Sequence, residues 1–241
     1  MSEERAPRSA PRGLWARFAR FGTLLRGGGA TLRQNGATLI AGFVVLRWVD
    51  PAELGLWQSL LLIESYSLIV QAGIFNGLNR ELPYRLGQDA RDEVLALAGT
   101  AKTVALAGSL LLIGGGVVVW FLLDDPAIRW GALAVCSGAA FILYRHYLSV
   151  TYRADRAFEA LARIRLVEAV VALASLGFVY AFGYAGLALR YLTMIVIGTM
   201  ANHLFRPIRA PYSFSWTHAV TLLRVGVPIF ALGYALGVAG T

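Results

Sequence analysis

The fold is decided by the stretch from residue 98 to residue 123, which reads AGTAKTVALAGSLLLIGGGVVVWFLL. Lys102 is its one charged residue, and about 20 mostly apolar residues are enough for a helix to cross a bilayer. The triplet Asp124-Asp125-Pro126 follows and is typical of a turn that closes a span. The glycine-rich run Gly114-Gly115-Gly116 indicates close helix packing and not a phosphate loop, because no Lys-Ser/Thr pair follows it. This stretch therefore predicts a membrane-spanning helix.

Apolar segments of similar length lie on both sides of this stretch. Six complete spans are predicted, over residues 28–49, 56–75, 98–123, 128–150, 166–182 and 187–205. The uncharged sequence Gly183-Tyr184-Ala185-Gly186 is predicted to be the turn between the fifth and sixth spans. A seventh segment covers residues 217–224 and 227–238 and reaches the last residue without a flanking charge. We therefore expect the front part of a longer chain: a basic tail (1–25), a six-span bundle (26–210) and the truncated start of a second bundle (211–241).

Composition agrees with an all-α polytopic membrane protein. Hydrophobic residues make up 57% of the chain, charged residues 15%, and the mean hydropathy is +0.61. A soluble domain carries about 25% charged residues, so a water-soluble fold would lack the polar surface to cover itself. The net charge of +8 does not predict nucleic-acid binding, because the basic residues flank spans and do not interleave with exposed aromatic residues. Membrane lipids, whose head groups are partly anionic, are the expected partners of these residues.

Basic residues are concentrated at every second junction between spans. They precede the first span (Arg5, Arg8, Arg12, Arg17, Arg20, Arg26, Arg33) and follow the second (Arg80, Arg85, Arg91, Lys102), the fourth (Arg153, Arg156, Arg163, Arg165) and the sixth (Arg206, Arg209, Arg224). Loops rich in Lys and Arg stay in the cytoplasm, so the pattern predicts a multi-pass protein of the bacterial inner membrane with a cytoplasmic N-terminus. The first residues show no signal-peptide cleavage site. Trp15, Phe18 and Phe21 leave two alternatives for the tail, a short interfacial helix or a disordered basic segment.

The residue types argue against an enzyme. The three histidines, His146, His203 and His218, are scattered and do not have metal-ligand spacing. The single cysteine, Cys136, lies in an apolar run, where a buried thiol is expected. No nucleophile elbow is present. We therefore expect no catalytic residues, no metal and no cofactor.

Four stretches resemble one transporter family, the polysaccharide-exporting flippases of the Wzx type. LRWVDPAELGLW (46–57) is similar to the end of the first span in that family, and GIFNGLNRELP (73–83) resembles the segment after its second span. The junction from Tyr152 to Ala162 and the sequence FGYAGL (182–187) also fit. Each motif is weak alone, but together their order and spacing are fairly specific. The family belongs to the multidrug/oligosaccharidyl-lipid/polysaccharide (MOP) exporter superfamily.

The resemblance implies a fold and a function. Members have two six-helix bundles around a central cavity that opens alternately to each side, and this chain would supply the first bundle, the N-terminal lobe, and the start of the second. The implied substrate is an undecaprenyl-diphosphate-linked oligosaccharide for surface polysaccharide such as lipopolysaccharide O-antigen. Polysaccharide polymerase and glycosyltransferase machinery are implied partners. Since one bundle forms one wall of such a cavity, we expect that residues 1–241 alone do not transport.

Candidate binding residues follow from the negative charge of a diphosphate, which requires cations shielded from lipid. The cationic candidates are Arg33, Arg47, Arg80 and Arg145, and the polar candidates for sugar hydroxyls are Gln34, Asn35, Gln58, Asn76 and Asn79. These arginines lie near span ends, so contacts with head groups are an alternative role for each. Glu64, in the middle of a span, is expected to pair with an arginine across the bundle.

The sequence leaves two alternative functions open. One is a cation-coupled multidrug antiporter of the same superfamily, which would use the carboxylate of Glu64. The other is a membrane scaffold subunit that does not transport.

The arginine pattern predicts the membrane topology. In a Cys136→Ser background, a single cysteine at position 125 is expected to react with a membrane-impermeant maleimide from outside. A single cysteine at position 156 is expected to react only from the cytoplasmic side. The opposite labelling pattern would contradict the predicted orientation.

Overall fold

The computed structural model describes Gly36, Leu39 and residues 41–239, and these form helices and short connections without any strand. The helices are α1 (described over 41–48), α2 (Pro51–Ser67), α3 (Ile74–Gly87), α4 (Arg91–Leu122), α5 (Pro126–Ala154), α6 (Phe158–Ala174), α7 (Leu176–Leu204) and α8 (Trp216–Ala239). The prediction of an all-α chain is confirmed over these residues. The basic tail and the candidates Arg33, Gln34 and Asn35 lie outside the described residues.

Two Asp-Pro pairs start helices. The Asp50 side chain accepts a hydrogen bond from the Ala52 backbone N–H at 2.8 Å, and Pro51 takes the first helical position of α2. Asp125 accepts from the N–H groups of Ala127, at 2.7 Å, and Ile128, at 3.2 Å. Both carboxylates therefore satisfy N–H groups that have no partner inside the helix; for Asp125, this capping occurs at the turn that the sequence predicts after residue 123.

The predicted second span, 56–75, is not one continuous helix. After α2, a short 3-10 helix covers Leu68–Gln71, and then Ala72 and Gly73 take left-handed backbone angles, with φ of 47° and 84°. Because left-handed residues end the run of α-helical hydrogen bonds, α3 leaves this point bent by 54° from the direction of the preceding helix. The break directs α2 and α3 towards different neighbours.

The predicted turn between the fifth and sixth spans lies inside α7. Gly183 has non-helical angles, φ 55° and ψ −124°, and the backbone of Gly186 packs directly against the carbonyl group of Phe178. Residues eight apart in a straight helix are separated by about 12 Å, so this contact requires the chain to turn back at Gly183. The break therefore begins at the first residue of the predicted turn, and the residues after Gly183 are already helical.

The predicted number of six spans is not confirmed. Among the described residues, α4, α5, α7 and the first 18 residues of α8 could each cross a membrane by length and hydropathy, and the bent pair of α2 and α3 would make a fifth span. α6 has 17 residues, fewer than the roughly 20 that a span needs. Large apolar side chains on the outer face of α4, such as Leu110, Leu111 and Phe121, are mostly exposed, as expected of a surface that contacts lipid.

The helix α5 lies at the centre of the bundle. On one side, Leu143, Tyr147 and Leu148 of α5 join a buried cluster with α3, α4 and α8. On the other, Ala132 and Val135 of α5 join a second cluster with α1, α2 and α7. Because α5 contributes to both clusters, it lies between the two halves of the bundle.

The segment before α8 is fastened to α4 by a buried lysine. Lys102 is 3% exposed, donates to the Ala210 carbonyl oxygen at 2.9 Å and lies 3.6 Å from the ring centre of Tyr212. Thr103 donates to the Ser213 carbonyl oxygen at 3.0 Å. From the sequence, Lys102 was counted among the basic residues that follow the second predicted span, although it lies within the third; the structure buries it inside α4 with a backbone acceptor.

The backbones of α3 and α8 are in direct contact at three glycines. A Cβ atom added to Gly73 or Gly77 would overlap the α8 backbone, and one added to Gly226 would overlap the backbone of Gly73. Small residues permit this approach, which brings many favourable van der Waals contacts. The described part of the predicted second-bundle segment, 211–239, therefore packs against the preceding helices.

The close approach of α3 and α8 predicts a large effect of Gly226→Val. The added side chain must separate the two helices, and we expect a destabilisation of about 1–3 kcal/mol. It would be measured as a lower midpoint of thermal unfolding of the purified protein in detergent. Gly115→Val is the matched control, because Gly115 is also helical and has no atom within 4 Å of an added Cβ. Equal effects of the two substitutions would contradict the assigned packing.

Candidate functional site

One cavity with charged side chains lies between α1, α2, α5 and α7. Its volume is about 500 Å³, and most of its wall is aliphatic. The polar side chains in the wall are Gln58 and Glu64 from α2, Arg145 from α5, and Arg190 and Tyr191 from α7. The α2 residues Leu54, Gln58, Leu61 and Glu64 recur at helical spacing and so share one face. The face of α2 that borders the cavity therefore carries both leucines and the polar residues Gln58 and Glu64.

Glu64 is held by a tyrosine. The Tyr191 hydroxyl donates to Oε2 of Glu64 at 2.6 Å. Trp57 packs edge-on against Tyr191, with 5.5 Å between ring centres, and against Tyr184, at 6.2 Å. The expected ion pair between Glu64 and an arginine is not found among the described residues, where Arg145 of the neighbouring helix α5 pairs with Glu168 instead.

Arg145 is engaged by a buried glutamate. Nη1 of Arg145 lies 3.1 Å from Oε1 of Glu168 in α6, and Nη1 of Arg165 lies 3.2 Å from the other carboxylate oxygen. Glu168 is 8% exposed. These residues line a second cavity of about 230 Å³, which shares Glu64, Ile142 and Arg145 with the larger one. Arg145 therefore belongs to the wall between the two cavities.

Arg190 is a cavity residue that the sequence analysis missed. It lies in α7, within the sixth predicted span, is partly buried and lines the larger cavity, but it was not selected as a site residue. Its Nε atom is buried and has no hydrogen-bond partner in the described part of the chain, and no carboxylate there lies within 4.0 Å. A charge inside an apolar segment is costly and usually faces a cavity. The position of Arg190 inside the sixth predicted span could therefore have identified it as a cavity residue.

Several predicted site residues do not line this cavity. Arg47 is exposed near the end of α1, although the preceding residue, Leu46, does line the cavity. Asn79 and Arg80 are exposed on α3, and Asn76 is partly buried there. The bend at residues 72–73 turns α3 away from α2, so these residues lie outside the lining of the cavity. Their role in substrate binding stays a prediction without support from this cavity.

A second large groove differs in chemistry. It has a volume of about 620 Å³ between α5 and α7, and none of the described residues that line it is charged. Such a surface can hold hydrocarbon but cannot bind a charged group selectively. Over the described residues, no group of three or more His, Cys, Asp or Glu side chains is placed to hold a metal ion. The cavity with Arg145 and Arg190 is therefore the candidate site.

Comparisons with known proteins support the fold. No protein-family model matches the chain, and no curated protein matches it. The structure is similar to that of a MOP superfamily transporter from Pyrococcus furiosus, whose binding pocket is described as having reverse polarity that suggests a different function. The TM-score is 0.60 and the sequence identity 18%, over 86% of this chain and 51% of the transporter.

This similarity shows a shared fold and does not show a shared substrate. The chain spans about half the length of the transporter that it matches. The apolar helices and the shared fold agree with a multi-pass membrane protein. The expected fold is thus supported, whereas membership of the superfamily and the narrower resemblance to Wzx-type flippases stay proposals.

Proposed function

We propose that this protein is a membrane flippase that translocates an undecaprenyl-diphosphate-linked oligosaccharide by alternating access. The observation that carries the proposal is the charge of the larger cavity. Among the described residues of its wall, two arginines, Arg145 and Arg190, against one glutamate, Glu64, leave one net positive charge. An anionic ligand would neutralise this positive charge, so the cavity favours binding of an anion.

Arg190 is the proposed primary contact for the diphosphate. Its Nε has no acceptor among the described residues, and desolvating a guanidinium donor without an acceptor is unfavourable. A diphosphate supplies several anionic oxygens, and the planar guanidinium can donate to two of them at once. The surrounding aliphatic wall lowers the local dielectric constant and so strengthens the attraction.

The remaining lining suits a sugar. The Gln58 amide can donate and accept hydrogen bonds, and the Tyr191 hydroxyl already orders one side of the cavity. The apolar groove between α5 and α7 offers a surface for the hydrocarbon chain. A location in the bacterial inner membrane, with the polymerase and glycosyltransferase machinery as partners, follows from this proposal.

Alanine substitutions at the two arginines test the proposal. In the protein expressed in cells, we expect Arg145→Ala and Arg190→Ala each to lower export of the saccharide by about tenfold or more, because each loses charge-assisted hydrogen bonds to the diphosphate. Lysine substitutions should restore only part of the activity. Export is measured by labelling surface polysaccharide, at matched membrane levels of each variant.

Arg153→Ala is the matched control, because Arg153 is an exposed arginine near the end of α5. Normal export is expected from it. Arg47→Ala and Arg80→Ala, tested in parallel, decide whether the arginines predicted from the sequence also contribute. Normal export after loss of both Arg145 and Arg190 would refute the proposed site.

A cation-coupled multidrug antiporter is the second candidate, and one observation favours it. Glu64 places a carboxylate in the cavity wall, and the carboxylate has a tyrosine partner instead of an arginine. A group of that kind can exchange a proton or a cation. A scaffold subunit without transport activity has no comparable support from the cavity.

Glu64→Gln separates the two transport functions. A proton-coupled antiporter that uses Glu64 should lose drug efflux completely, because the amide cannot titrate. A flippase should retain part of its export, since the amide still accepts the hydrogen bond from Tyr191. Measuring both drug resistance and surface polysaccharide in the same cells shows which activity depends on this carboxylate.

A further inference from the structure

The carboxylate of Glu168 occupies an unusual position for a structural ion pair. Its two oxygens are divided between two arginines, Arg145 on α5 and Arg165 on its own helix, at 3.1 and 3.2 Å. Glu168 is buried, whereas the Arg145 side chain is 32% exposed and that of Arg165 is 44% exposed. The glutamate is therefore the fixed member of the group, and the two arginines have more freedom to move.

Arg145 can reach either of two cavities. It lines both the larger cavity, with Arg190, and the smaller cavity, with Glu168. The backbone of Gly198 lies close behind the ion pair, since a Cβ added there would be 2.9 Å from Nη1 of Arg145 and 3.0 Å from Oε1 of Glu168. The contact with Glu168 thus holds the guanidinium group on the side of the smaller cavity.

We propose that Glu168 is a built-in anion that holds Arg145 and is exchanged for the anionic group of the substrate. This inference rests on the proposed function, because the exchanging group is the diphosphate. When the diphosphate enters the larger cavity, Arg145 turns from Glu168 to it. When the diphosphate leaves, Glu168 takes Arg145 back and so favours release.

Arg165 makes this exchange energetically feasible. A buried carboxylate that loses its only cationic partner is strongly destabilised. Glu168 keeps its contact with Arg165 when Arg145 turns away, so its negative charge stays paired in both states. A diphosphate offers more negative charge and more acceptor oxygens than one carboxylate, and it can therefore compete for the guanidinium group.

The test measures binding of inorganic diphosphate to the full chain in lipid nanodiscs by calorimetric titration. Glu168→Gln removes the competing charge and keeps the side-chain size, so we expect binding to tighten by about tenfold. In the double variant Glu168→Gln/Arg145→Ala, affinity should fall to that of Arg145→Ala alone, because Glu168 acts through Arg145. A role limited to stabilising the fold would produce neither result.

Glu159→Gln is the matched control. Glu159 lies on the same helix and pairs with Arg163 at 3.1 Å, but both side chains are more than three-quarters exposed and lie outside the two cavities. The affinity of the Glu159→Gln variant for diphosphate should equal that of the unaltered protein. If Glu168→Gln does not accumulate in the membrane, Glu168→Asp serves instead, since its shorter side chain cannot reach both arginines and should tighten binding by a smaller factor.

The outcomes separate this inference from the proposed function. Weaker or unchanged diphosphate binding in the Glu168 variant, with export still dependent on Arg145, overturns the exchange and leaves the flippase function standing. Export that no longer depends on Arg145 and Arg190 overturns both. Tighter binding that persists in the double variant also overturns the exchange, because Glu168 would then act without Arg145.

Discussion

The break in the chain at Ala72 and Gly73 controls how the other helices pack. The left-handed angles of these two residues let α2 remain against α5 while α3 turns by 54° to meet α8. A straight helix over the same residues would project away from one of these neighbours. The contact of α3 with α8 depends in turn on Gly73 itself, because its missing Cβ leaves room for the backbone at Gly226. One glycine thus serves both the bend and the packing that the bend makes possible.

Polar groups inside the bundle are arranged so that nearly every charge near the cavities has a partner. Glu64 accepts from Tyr191, and Glu168 binds two arginines. Away from the cavities, Lys102 donates to a backbone carbonyl group that fastens the segment before α8. This pattern reflects the high cost of an unpaired charge in a medium of low dielectric constant. Arg190 departs from it among the described residues, because its buried Nε has no acceptor there, and this is why we propose it as the contact for an anionic ligand.

The two transport candidates place different demands on the same cavity. A flippase needs Arg145 and Arg190 to remain charged and available, and it uses Glu64 to order Tyr191. An antiporter needs Glu64 to change its charge during each cycle and gives the arginines a supporting role. The arrangement of Glu168 fits the first demand better, because a shared carboxylate can hold a positive charge in the wall without neutralising it permanently.

The all-α membrane character, the Asp-Pro starts of α2 and α5, and the break at Gly183 could be predicted from the sequence, because each depends on local composition or on hydrogen bonds between near neighbours. Gln58, Glu64 and Arg145 could also be selected, since polar residues within apolar segments are costly unless they face a cavity. The partner of Glu64, the presence of Arg190 and Arg145 in the wall of one cavity and the burial of Lys102 became evident only in the folded chain. Those outcomes depend on how separate helices rotate and cross, which is set by side-chain packing between residues far apart in the chain and leaves no periodic pattern within any one segment.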